Sequence, residues 1–186
     1  MNLVEHILRF NAGREPERLA LKHRAMRANP FAFYRGTCHL FYDRLPEIGL
    51  FRSAPAVWAC GDLHLENFAS YKGDNRLVYF DINDFDEAAM APVTVDLVRA
   101  MTSLVVAGTS AKFGNATTNA LLQNLLMTYR QTLATGKSLW VEAETSHGMI
   151  RELFNQVGQR SHATFLNRRT IRLRGRRRFR LDGPER

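Results

Sequence analysis

Two short motifs hold the residues of this chain that could do chemistry. The first spans Cys60–Phe68 and places Asn67 five residues after Asp62. In a phosphotransferase catalytic loop, an aspartate with this spacing accepts the proton of the attacking hydroxyl, and the asparagine oxygen reaches a magnesium ion. The segment follows a compact apolar run, which predicts that the motif lies on a loop at the end of a buried strand.

The second motif spans residues 81–87, directly after a predicted hairpin, and contains Asp84 and Asp86. A carboxylate there would lie opposite the first loop, as a metal-binding aspartate does in kinases. Six of the eight aspartates fall between Asp62 and Asp96. Such crowding costs repulsion unless cations or hydrogen-bond donors compensate it, so this window is where chemistry is expected.

Helices, then a small β region, then helices must position these motifs. Apolar spacing predicts helices over residues 3–9 and 15–28, with Pro30 as a stop and residues 29–36 extended or turning. A short helix is predicted over 38–44, a strand over 54–60 and a hairpin from 68–71 and 77–81. Further helices are predicted from Thr94 onward, over 116–133 and over 139–157.

The charge of the chain is concentrated at one end. Its 186 residues carry a net charge of +8, and residues 168–186 contribute nine arginines against two acidic residues, which is +7. We therefore distinguish a nearly neutral domain, 1–167, from an Arg-rich C-terminal segment, 168–186. That segment has three interpretations: a solvated or truncated end, a nucleic-acid-binding arm, or part of a larger fold.

Composition restricts the remaining classes of protein. Only two cysteines, Cys38 and Cys60, argue against a disulfide scaffold and favour a reducing, cytoplasmic location. The sequence has no apolar run of the roughly 18 residues expected of a membrane span, so no membrane partner is predicted. Nucleic acid is expected as a partner only through residues 168–186, and the oligomeric state is not predicted.

The two motifs together resemble a known branch of enzymes. Gly61-Asp-Leu-His-x-x-Asn67 followed by Asp84-Phe-Asp86 is similar to the aminoglycoside phosphotransferase and choline kinase branch of the protein-kinase-like fold. Cys60 stands where those proteins carry a histidine. The segment 94–99 resembles their next helix, and its Asp96 lies twelve residues after Asp84, which favours Asp84 over Asp81 as the metal ligand.

A closer resemblance is to the bacterial family called domain of unknown function 2252. It is carried by four segments and covers roughly residues 15–135: Asn29–Gly36, Cys60–Phe68, Phe80–Glu87 and Pro92–Ala100. The resemblance implies an α+β fold, a kinase-like catalytic half similar to a C-lobe, with a small β-hairpin region flanked by helices. Family members are about twice as long, so the domain is expected to be an incomplete, N-terminal portion.

The resemblance also implies a set of residue roles. Asp62 would be the catalytic base with His64 beside it, and Arg35 and His64 would either contact phosphate or support the loop. The oxygen ligands of Mg²⁺ would come from three residues: Asn67, Asp84 and Asp86. Asp96 would support the catalytic loop. The implied reaction moves a phosphoryl group from ATP to a hydroxyl or amine of a small-molecule acceptor.

Two parts of a kinase are missing from the sequence. It has twelve glycines but no Gly-x-Gly, and none of its four lysines lies in a kinase-like strand. The alternative is therefore a non-catalytic or truncated family member without nucleotide binding. A metal-dependent phosphoesterase lacks its further histidines, a zinc site at Cys60 and His64 lacks a second ligand pair, and an EF-hand from Asp81 lacks its glycine.

Overall fold

A computed structural model describes residues 2–159 and 161–180, and these form a mixed α+β structure. Six short strands pair in three antiparallel two-stranded sheets. The helices are α1 (Leu3–Phe10), α2 (Pro16–Met26), α3 (Pro30–Gly36), α4 (Cys38–Tyr42), α5 (Gly49–Arg52), α6 (Val93–Ser110), α7 (Asn115–Ala134), α8 (Gly148–Gly158) and α9 (His162–Arg169). The strands are β1 (Ala56–Ala59), β2 (Phe68–Lys72), β3 (Val78–Ile82), β4 (Ala89–Pro92), β5 (Thr170–Leu173) and β6 (Arg176–Phe179).

The chain divides into two compact units. The first comprises Met1–Ala69 and Ile82–Leu139, and the second comprises Ser70–Asp81 and Trp140–Arg186. In the first unit β1 pairs with β4, and α6 packs against α3, α7 and β1. A small cluster of buried side chains lies among the N-terminal helices: Ile7, Met26 and Leu40, with Phe33 against them.

The predicted strand before the first motif and the predicted hairpin are confirmed as β1, β2 and β3. The expectation that this strand is buried is wrong for most of β1, since Trp58 is 79 % exposed and only Ala59 is buried. The expectation of an extended segment over residues 29–36 is wrong, because α3 occupies it. Asn29 caps this helix by accepting a hydrogen bond from the backbone N–H of Ala32 at 2.8 Å. Pro30 occupies the first helical turn, where its fixed φ favours a helix and its missing N–H costs nothing. It therefore begins α3 as well as ending α2.

The predicted helix over 139–157 is only half correct. Residues 143–145 form a single 3₁₀ turn, and α8 begins only at Gly148, which has a φ of +56° and follows the extended His147. Upstream, Val141 accepts a hydrogen bond from the backbone N–H of Phe80 at 2.8 Å. That pairing to β3 replaces helical hydrogen bonds, which the apolar spacing alone does not reveal.

Helix α6 is long and apolar enough to span a membrane by length and mean hydropathy alone. The expectation that no segment is apolar enough to span a membrane is therefore wrong by the criteria of length and composition. The helix is also the central packing element of the first unit and carries Asp96 and Arg99, whose partners lie on that unit. Those contacts are typical of the core helix of a globular domain.

The arginine-rich segment is structured where it is described. Arg168 and Arg169 end α9, and β5 and β6 form an antiparallel hairpin through residues 170–179. The turn uses two residues with positive φ, Arg174 at +50° and Gly175 at +76°. Residues 181–186, the end of the segment, lie outside the described residues.

The cap of α3 is testable because this helix positions Tyr34 and Arg35. We expect Asn29→Ala to lower the free energy of unfolding by about 1 kcal/mol, since the N–H of Ala32 loses its acceptor. Urea unfolding followed by circular dichroism measures the change. Asn29→Asp retains a side-chain acceptor and should unfold near the wild-type midpoint; an equal loss in both variants would contradict the cap.

Candidate functional site: a loop held by a buried ion pair

The loop after β1 is supported by a carboxylate from α6. The Asp96 side chain accepts hydrogen bonds from the backbone N–H groups of Cys60 at 2.6 Å and of Gly61 at 3.1 Å. These two residues immediately precede Asp62. Hydrogen bonds to a charged acceptor contribute about 1.5–3 kcal/mol each. Asp96 thus makes the supporting contact that the sequence predicts for it, and this contact fixes the entry to the loop.

The loop is also tied to the second motif. The Cys60 thiol donates to the backbone carbonyl of Asp84 at 3.0 Å, and the backbone N–H of Asn83 donates to the carbonyl of Asn67 at 3.0 Å. Burial raises the pKa of Cys60 to about 11, so the thiol is protonated at neutral pH and acts as a donor. The two motifs separated by the hairpin are therefore in contact.

A glycine is required at position 61, because the loop and the backbone of the second motif approach each other closely there. Its φ is +89°, and a Cβ built on it would collide with the backbone carbonyl of Glu87. A residue with a side chain would be strained by the dihedral and would displace the 84–87 segment. The hydroxyl of Tyr42 donates to the carbonyl of Gly61 from the other direction.

Asp62 forms an ion pair with Arg99 of α6. The guanidinium donates from Nε at 3.0 Å and from Nη2, and both hydrogen bonds go to Oδ1. The side chain of Arg99 is 0 % exposed and that of Asp62 is 20 % exposed. The guanidinium carbon lies 4.0 Å from the ring centroid of Tyr34 and 5.0 Å from that of Phe41. Asp62 is therefore part of the structural core as well as a candidate base.

His64 and Asn67 stabilise the loop in this conformation. His64 is 5 % exposed and Asn67 is 2 % exposed. The Asn67 side-chain oxygen accepts from the backbone N–H of His64 at 3.1 Å, and the Glu66 N–H donates to Nδ1 of His64 at 3.2 Å. Burial and the charge of Arg35 lower the pKa of His64, against the opposing effect of Asp62. The lowered pKa favours the neutral form of the imidazole ring. Reactive and metal-binding roles for these two residues stay predictions.

Arg35 serves the same loop from α3. Its Nε lies 3.3 Å from Nε2 of His64, and its guanidinium pairs with the Glu66 carboxylate. The structure therefore brings Arg35 to the first motif, as expected of a phosphate-binding candidate, and gives it a protein partner there.

Asp84 and Asp86 are both exposed. The contact described for Asp84 is Oδ1 accepting from the backbone N–H of Asp86 at 3.3 Å. Across residues 2–159 and 161–180, no three His, Cys, Asp or Glu side chains come together as a ready metal site. A divalent ion would thus rely on few protein ligands.

A cavity of about 400 Å³ opens beside Asp62. Three cationic side chains line it, Arg14, Lys22 and Arg35, and so do three carboxylates, those of Asp43, Asp62 and Glu87. Burial and the neighbouring Arg14 lower the pKa of the Lys22 ammonium, against the opposing effect of Glu87. The formal charges of these six side chains cancel, and the cavity places cations in the same lining as Asp62.

Sequence reasoning missed Arg14, Lys22 and Arg99. One signal points to Arg99: it follows Asp96 by three residues on a predicted helix, so both side chains share a face. The helix that carries the loop-supporting aspartate could therefore have been expected to carry the partner of Asp62. Arg14 and Lys22 come from the N-terminal helical region and have no local motif.

The ion pair predicts an asymmetric response to substitution. Asp62→Ala leaves a fully buried cation unpaired and should cost about 3–5 kcal/mol of unfolding free energy. Arg99→Met should cost less, because the partly exposed Asp62 carboxylate can hydrate. The double variant should lose less than the sum of the two single losses, as measured by urea unfolding.

The exposed pair of Arg52 with Glu47 provides the matched control. Its double-mutant cycle, with Glu47→Ala and Arg52→Met, should give a coupling of at most about 1 kcal/mol. Additive losses at Asp62 and Arg99 would show that the buried pair is not energetically coupled.

Comparison with known proteins identifies a family but no characterised relative. Neither the curated proteins nor the solved structures contain a significant match to the chain. Residues 14–186 match the family described as "Uncharacterized protein conserved in bacteria (DUF2252)". The match extends past residue 135 and through the arginine-rich hairpin. Because it covers most of the sequence, the chain belongs to the bacterial DUF2252 family.

Proposed function

We propose that this protein transfers a phosphoryl group from ATP to a hydroxyl or amine of a small-molecule acceptor, with Mg²⁺ as the required ion. The observation that carries the proposal is the loop clamp: Asp96 binds the two N–H groups directly before Asp62. A phosphotransferase depends mainly on positioning and electrostatic stabilisation, so it needs a loop of fixed conformation.

The acceptor is assigned to the cavity beside Asp62. Both guanidinium hydrogen bonds of Arg99 go to Oδ1 of Asp62, so Oδ2 is the oxygen that we assign to the acceptor's proton. Arg14, Lys22 and Arg35 lie on the same cavity and would offset the negative charge of a phosphate. These three cations are what supports an anionic reaction partner next to Asp62, against the carboxylates of Asp43 and Glu87 in the same lining.

The donor set of the second motif suits Mg²⁺. This ion is usually held by one or two carboxylates together with waters and substrate phosphates, so a preformed three-ligand cluster is not required. Asp84 and Asp86 would hold it, with Asn67 as the further ligand if its side chain turns from His64. Bound there, the ion would neutralise charge on the transferred group.

The order of elements along the chain supports the proposed relation to the kinase-like fold. A strand leads into the Asp62 loop, an acidic segment follows after a hairpin, and a helix returns to support the loop. We place Asp62, with His64 at its side, in the role of the base on this ground.

One observation favours a second candidate, a non-catalytic family member. The pair with Arg99 gives Asp62 a structural role that needs no substrate. Such a protein would keep the folded loop and would bind neither nucleotide nor magnesium strongly.

A thermal-unfolding titration with Mg²⁺-ATP distinguishes the two. A ligand at 100 times its dissociation constant adds about 2.7 kcal/mol of stability, which gives a readily measured rise in Tm. We expect this rise for the wild type and its loss in Asp84→Asn. Asp84 is preferable to Asp62 for this test because its exposed carboxylate contributes little to folding.

Asp74→Asn in the β2–β3 turn is the control, since it removes the same charge from an aspartate that belongs to neither motif. It should keep the wild-type shift with Mg²⁺-ATP. If wild type and Asp84→Asn show no shift, or the same shift, the phosphotransferase assignment of these residues fails.

A further inference from the structure

A second cavity lies in the first unit, with Arg99 among the residues that line it. Its volume is about 460 Å³, which is within the range of small-molecule sites. The lining is dominated by apolar and aromatic side chains, among them Phe33, Phe41, Leu45, Ile48, Phe51 and Val98. Arg44 supplies a second cation to the same cavity.

Arg99 has one unused donor. Nε and Nη2 are engaged by Asp62, and Nη2 also donates to the carbonyl of Tyr34 at 3.3 Å. Nη1 is buried and has no hydrogen-bond partner among the described residues. In a planar guanidinium the Nε–Nη2 edge points one way and Nη1 points away from it, so this donor faces away from Asp62.

An unpaired donor on a buried cation is costly, and such groups call for a partner. Few other polar side chains line this cavity, and two of its hydroxyls have their donors in use. The hydroxyl of Tyr34 already donates to the carbonyl of Arg99 at 2.7 Å, and that of Thr37 donates to the carbonyl of Phe33 at 2.7 Å. A buried water needs two to four polar partners, so an acceptor carried on an apolar body suits the cavity better.

We infer that this cavity binds a small monocarboxylic acid with an apolar body. The carboxylate accepts a hydrogen bond from Nη1 of Arg99, with Arg44 as the second positive charge, and the hydrocarbon part packs against the aromatic and aliphatic lining. The same guanidinium then joins two carboxylates, that of Asp62 and that of the ligand. This site is separate from the cavity that holds Lys22 and is independent of nucleotide.

Isothermal titration calorimetry with octanoate, octan-1-ol and octylamine at pH 7 tests the inference. Octanoate should bind at least about tenfold more tightly than the alcohol, because it makes a charge-assisted hydrogen bond. Octylamine should bind more weakly than either. Equal affinity of octanoate and octanol would show that the apolar lining alone accounts for binding, and would overturn the proposal.

A cavity-filling variant ties the binding to this place. Leu45→Trp puts a larger side chain into the lining and should abolish octanoate binding. Leu121→Trp on α7 makes the same change outside the cavity and should leave the dissociation constant unchanged.

Octanoate binding that survives Leu45→Trp overturns the proposal, as does a wild type that binds no octanoate. The proposal is also overturned if the wild-type chain self-associates and Leu45→Trp is a monomer. In that case a second copy of the chain would occupy the cavity. No nucleotide is present, so none of these results bears on the phosphotransferase proposal.

Discussion

The guanidinium of Arg99 is the interaction on which the rest of the first unit depends. A buried cation must be paired or it destabilises the fold, and this one is paired by Asp62, stacked on Tyr34 and Phe41, and placed by α6. Helices α3 and α4 and the loop after β1 all contribute side chains that contact this one guanidinium, which α6 carries. The position of Asp62 is thereby set by the packing of three helices, and a change in any of them reaches this carboxylate.

The backbone at the entry to the loop is held from two neighbouring elements. Asp96 binds the N–H groups of Cys60 and Gly61, while the Gly61 carbonyl receives the Tyr42 hydroxyl. The same contacts show what position 60 provides: a backbone N–H for Asp96 and a small side-chain donor toward the carbonyl of Asp84.

Sequence patterns predict the elements around the motifs well, because β1, the hairpin and α6 each carry a strong local signal of apolar spacing or turn composition. They fail where one residue is compatible with two structures. Pro30 is compatible with the end of one helix and with the first turn of the next, and only the Asn29 cap indicates that α3 begins there. They also fail where pairing is distant. Strand β4 has no strand-like composition and forms because Ala59 and Ala56 pair with Ala89 and Pro92.

In the candidate site, too, local patterns predict some contacts and distant packing decides the others. The contact between the two motifs could be predicted, since their spacing and a short hairpin constrain it. The support from Asp96 could be expected only from the resemblance of its segment to a known family. The cations of the cavity could not, because Arg14 and Lys22 reach it through the packing of helices far upstream. Whether Asn67 binds a metal is equally beyond local pattern, since the rotamer of its amide is decided by the N–H of His64.

The contacts that hold the Asp62 loop are separated widely along the chain: 65 residues from Tyr34 to Arg99, 37 from Asp62 to Arg99 and 36 from Cys60 to Asp96. Contacts of such separation form late in folding, because loop closure must be completed before they contribute. During synthesis the loop therefore emerges well before its partners. A ribosome-bound chain that stops short of α6 carries the whole first motif without the structure that orders it, and the site comes into being only when that helix docks.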